Sequence, residues 1–74
     1  MTTSIHAEEF LIRIGKRLRQ KRVLRDDRLK NVSAHLGVSH AMLSRIENGK
    51  YKLSIELLLK MAEYYETEPA EFFQ

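Results

Sequence analysis

Apolar residues recur along this chain at three- and four-residue intervals, and glycine, serine and aspartate interrupt them between the repeats. From Ala7 to about Arg25, Phe10 or Leu11, Ile14, Leu18 and the stem of Arg22 share one helical face. Glu8 and Glu9 come early and arginines late, as the helix dipole favours. Gly15 costs this helix about 1 kcal/mol relative to alanine, which predicts a close approach by another element. A second helix is predicted over Arg28 to Leu36, with Leu29, Val32 and Leu36 on one face and Asp26 or Asp27 as its cap. Gly37 then offers a left-handed exit, and Ser39 caps a third helix running to Asn48. After a basic link, Lys50-Tyr51-Lys52, Ser54 caps a fourth helix over Ile55 to Tyr65. Its inward stripe is Ile55, Leu58, Ala62 and Tyr65, with Leu59 at the margin. Leu57, Met61 and Tyr64 form a second stripe: either Met61 finishes the core and the others are scattered surface, or the stripe, with Phe73, forms a dimer surface. Glu68-Pro69-Ala70-Glu71 opens a short fifth helix leading to Phe72 and Phe73. Residues 1–6 carry no periodic pattern and are expected to fray.

The turn between the second and third helices is tight enough to force a corner. Beyond it, Leu43 and Ile46 point inward, leaving His40, Ala41, Ser44 and Arg45 outward. A short helix held from behind, with small, polar and cationic side chains in front, suits a DNA major groove. Charge distribution supports this. Twelve of the thirteen Lys and Arg lie between Arg13 and Lys52 with only three acids, a local net of +9 in a chain of net +3. A basic middle with acidic ends suggests one face for a polyanion and another kept away from it.

Seventy-four residues, 43% of them apolar, make one domain with a small core, 1–74. There is no cysteine, so helix packing must carry the fold. No apolar run approaches the roughly 18 residues of a membrane span, and no leader pattern opens the chain, so a cytoplasmic protein without membrane association is expected. His6, His35 and His40 lack metal-ligand spacing. No phosphate loop, nucleophile triad or carboxylate pair is visible. The expectation is a non-enzyme without metal, cofactor or small-molecule substrate.

Several stretches together resemble the Cro and phage-repressor type of helix-turn-helix domain, the xenobiotic-response-element-like bacterial regulators. They are Ile14-Gly15-Lys16-Arg17-Leu18-Arg19 with Arg22, Val32 through Ser39, Leu43 through Lys50, Ser54-Ile55, Leu58 through Ala62, and Glu71-Phe72-Phe73. The resemblance implies an all-α, five-helix, lambda-repressor-like fold whose second and third helices form the helix-turn-helix. It makes His40, Ala41, Met42 and Arg45 the base-reading positions, and Ser39, Asn48, Lys50 and Lys52 phosphate contacts. It also implies a largely buried ion pair between Arg22 and Glu47. Where the family has a polar cap and a glutamine opening its second helix, this chain has Arg28 and Leu29, which leaves Arg28 as the phosphate contact there. Leu53 and Glu66 replace a common proline and a common glycine.

Two functions follow from these readings. One is a sequence-specific regulator, a repressor, binding double-stranded DNA at an inverted-repeat operator as a homodimer. The other is an antitoxin-like or adaptor module whose partner is a protein, working through the Leu57, Met61, Tyr64, Phe72 and Phe73 surface.

Overall fold

The structure, a computed structural model, describes residues 3–73, with side chains described from Ala7 onward. Its elements are α1 (Thr3–Leu24), α2 (Leu29–Leu36), α3 (His40–Glu47), α4 (Ile55–Tyr64) and a 3-10 turn, Pro69–Phe73. The expected fifth α-helix is therefore a 3-10 segment. It still buries Phe72 completely. Of the expected frayed tail, residues 1–2 lie outside the described residues, and Thr3 to His6 form the first turn of α1.

All four helices end in the same way. The residue after the last turn or cap adopts a left-handed conformation: Asp26 (φ 56°), Gly37 (73°), Gly49 (71°) and Glu66 (54°). In each case the next amide reaches back across the turn. Asp27 N donates to Arg22 O at 3.0 Å, Val38 N to Ser33 O at 3.0 Å, Lys50 N to Arg45 O at 2.9 Å, and Thr67 N to Ala62 O at 2.9 Å. This is the Schellman closure, which satisfies carbonyls a helix end would otherwise leave unpaired. Glycine adopts the conformation without strain, whereas Glu66 carries a Cβ there at a cost of about 1–2 kcal/mol.

The helix starts are less uniform. Ser39 Oγ accepts from Met42 N at 3.0 Å and Ser54 Oγ from Leu57 N at 3.1 Å. Neither Asp26 nor Asp27 caps α2. Its N-cap is Arg28, which makes no side-chain cap bond, and the carboxylate of Asp27 instead accepts from the Tyr64 hydroxyl at 2.7 Å.

The core joins Ile14 and Leu18 of α1, Val32 and Leu36 of α2, Leu43 and Ile46 of α3, and Leu58, Met61, Ala62 and Tyr65 around α4, closed by Phe72. Leu58, Ala62 and Tyr65 of the expected inward stripe of α4 are buried, and Ile55 is the exception. Met61 is fully buried, and Leu57 and Tyr64 pack against the core, whereas Ile55 is 66% and Leu59 50% exposed. Met61 completes the core beside that stripe, and Ile55, at the first turn of the helix, lies outside it. α1 packs on α3 and the 3-10 turn, and α2 packs on α3 and α4. Among the described residues, no helix is long and apolar enough to cross a membrane.

Candidate nucleic-acid interface

α3 is fixed on α1 by close backbone contact at two glycines. A Cβ built at Gly15 would lie 2.5 Å from the Ile46 carbonyl oxygen and 2.6 Å from that of Glu47; one at Gly49 would lie 2.6 Å from Ile12 Cα. Only residues without a side chain allow the end of α3 to sit this close to α1. The closeness that Gly15 signals in the sequence is thus a helix crossing, and Gly49 serves both as α3's stop and as the second contact.

A charged clamp holds the same crossing. Arg22 Nε donates to Glu47 Oε2 at 2.8 Å and its Nη2 to Glu47 Oε1 at 3.0 Å, while Nη1 donates to the Asp27 carbonyl at 3.1 Å. The two side chains retain only 14% and 5% of their exposure. The Glu47 hydrogen bond raises the Arg22 pKa, partly opposed by burial. A two-pronged arginine–carboxylate pair fixes an angle as well as a distance, because both groups are planar.

The outward face of α3 carries His40, Ala41 and Arg45, all exposed, at its start and middle. Met42, expected beside them, is half-buried and packs against the core. Ser44 is also half-buried. Around this row stand the residues expected to touch phosphates. Ser39 is exposed, with its hydroxyl accepting the cap bond. Asn48 donates its Nδ2 to Ser44 O at 2.8 Å. Arg28, Lys50 and Lys52 are exposed at the start of α2 and in the link after α3. Lys50 and Lys52 border a shallow groove of about 410 Å³ with Glu8, Leu11, Ile12, Gly49 and Tyr51.

The residues expected at a dimer surface are not gathered into one. Met61 is core, Leu57 is half-buried, and Tyr64 is held by Asp27 and lies under the Arg25 guanidinium, 5.2 Å from its ring centroid. The Asp27 hydrogen bond raises the Tyr64 pKa, as does burial. Phe73, 41% exposed, stacks on Phe10 with centroids 5.2 Å apart. The Asp27–Tyr64 link, spanning 37 residues in sequence, has no local signature, and nothing in the chain's periodicity announces it.

A family model described as helix-turn-helix matches residues 18–72. Among solved structures, the chain is similar to the restriction-modification controller protein C.AhdI from Aeromonas hydrophila. The two are 27% identical with a TM-score of 0.79, over 85% of this chain and 96% of that one. No curated protein matches the chain.

Proposed function

The chain belongs to the helix-turn-helix family of Cro and phage-repressor type, whose members bind DNA and regulate transcription, and from that premise we propose that it is a promoter-occupying repressor. The observation that carries this reading is the exposed row His40, Ala41, Arg45 on a helix locked from behind by Gly15 and the Arg22–Glu47 pair. Arg45 makes a two-pronged contact to guanine O6 and N7, His40 donates to a base or phosphate, and Ala41 and the exposed edge of Met42 meet a thymine methyl. Arg28, Ser39, Asn48, Lys50 and Lys52 set the register on the phosphates without reading sequence.

One eight-residue helix reads few base pairs, so the protein acts as a homodimer on half-sites about 34 Å apart. The side chains that pairing would cover on α4 are Ile55 and Leu59, one turn apart and exposed. Similarity to a restriction-modification controller protein supports a role as a controller protein.

Selection from random duplex DNA, followed by titration of the winners against salt, tests the reading. The expected result is an inverted-repeat consensus with a steep salt dependence. Arg45→Ala should cost about 1–3 kcal/mol and relax one base position per half-site. Recovery of no consensus, or an Arg45→Ala variant with unchanged preference, would overturn it.

A further inference from the structure

A groove of about 650 Å³ runs along the outside of α1, lined by Lys16, Arg19, Gln20, Val23 and Leu24. All five are exposed. They form two adjacent helical ladders, Lys16-Gln20-Leu24 and Arg19-Val23, in which cations lead and apolar side chains follow. Val23 and Leu24 are 58% and 83% exposed. Two neighbouring aliphatic side chains this open to water at a helix end make no contribution to the core. The lining contains no carboxylate, and none of it comes from the base-reading row or its phosphate contacts. The acidic residues of α1, Glu8 and Glu9, lie about two turns from Lys16 toward the other end of the helix.

We propose that this groove docks an acidic amphipathic helix of a partner protein, whose leucine-type side chains cover Val23 and Leu24 and whose carboxylates meet Lys16 and Arg19. The charge pattern favours such a partner over the other occupants. Duplex DNA would match the cations but gain nothing from Val23 and Leu24, because its backbone offers only charge to a helix lying outside a groove. A purely apolar segment would leave Lys16 and Arg19 desolvated without partners. An acidic helix with an apolar stripe satisfies both ladders, in the manner of a helix laid in a groove. Docking there leaves His40, Ala41 and Arg45 uncovered, so the regulator can hold DNA and the partner together.

The test uses a synthetic glutamate-rich peptide of about 18 residues with leucines at i, i+3, i+4 and i+7, and a control of identical composition with the leucines scattered. Binding to the whole protein is followed by fluorescence anisotropy and mapped by amide chemical shifts. The expected result is that the striped peptide binds more tightly than the control and shifts resonances along residues 16–24. The pair Val23→Ser with Leu24→Ser should weaken it about tenfold, and Lys16→Gln with Arg19→Gln should weaken it and flatten its salt dependence. The serine pair should melt like the wild type and bind random duplex DNA equally well. Equal binding of both peptides would make the surface a mere polycation and overturn the proposal. Loss of DNA binding in the serine pair would assign the face to DNA, and loss of self-association would assign it to a second copy; either overturns the proposal as well.

Discussion

Arg22 donates in three directions at once, to both oxygens of Glu47 and to the Asp27 carbonyl. Removing one member of so buried a pair strands the other's charge, and Arg22→Ala or Glu47→Ala alone should each cost about 3–5 kcal/mol in chemical denaturation. The double change Arg22→Met with Glu47→Leu removes both charges and should recover most of that stability. DNA affinity should not recover with it, since two apolar side chains do not fix an angle. If affinity returned together with stability, the pair's orienting role would be refuted. Helical spacing alone places the stem of Arg22 on the inward face of the first helix; its pairing with Glu47 becomes visible through the family pattern, because the partners stand 25 residues apart.

At the scale of elements, the α1–α3 crossing is set by backbone contact. Alanine is a better helix former than glycine by about 1 kcal/mol, yet Gly15→Ala should destabilise the protein, because the new methyl meets two carbonyl oxygens that no side-chain rotation can move. Thermal melts and DNA titration of this variant should show both stability and affinity falling; a stabilised variant with normal affinity would mean that the crossing has slack. The corner from Gly37 to Gly49 is legible in the sequence because each of its signals is local: Gly37 exits, Ser39 caps and Gly49 stops. The face of α4 is legible in part: the spacing finds Leu58, Ala62 and Tyr65, but not where the stripe ends or the place of Met61 beside it. Leu57, Leu58 and Leu59 are consecutive, so the helix is apolar around most of its circumference and its rotation is decided by what it meets. Packing puts Met61 against the core and turns Ile55 to solvent. Asp27 is misread for a similar reason. Its cap-like position is local, whereas the Tyr64 hydroxyl that claims it arrives from a distant helix.

Across the whole molecule, the side that joins α4 to the α1–α2 turn is sensitive to alkaline pH. Burial, aided by the charge of Glu47, raises the Tyr65 pKa above the ordinary phenol value, and the Asp27 hydrogen bond raises that of Tyr64. Both shifts favour the neutral phenol in the folded state. The stability they contribute is therefore fully present below the unfolded-state value near 10 and is lost as pH rises beyond it. Melting temperatures from about pH 8 to 11 should fall at the upper end, and Tyr65→Phe should flatten that fall. An unchanged pH profile in Tyr65→Phe would remove Tyr65 from this account. The locked crossing has a further consequence for the partner on the other side of the interface. A reading helix clamped by two glycines and a two-pronged ion pair has no hinge with which to follow irregularities of groove width. The duplex must make the adjustment, and its willingness to bend or narrow depends on its own base steps. An operator of the proposed kind would then be selected partly by its mechanics, at central base pairs that no side chain of this protein touches.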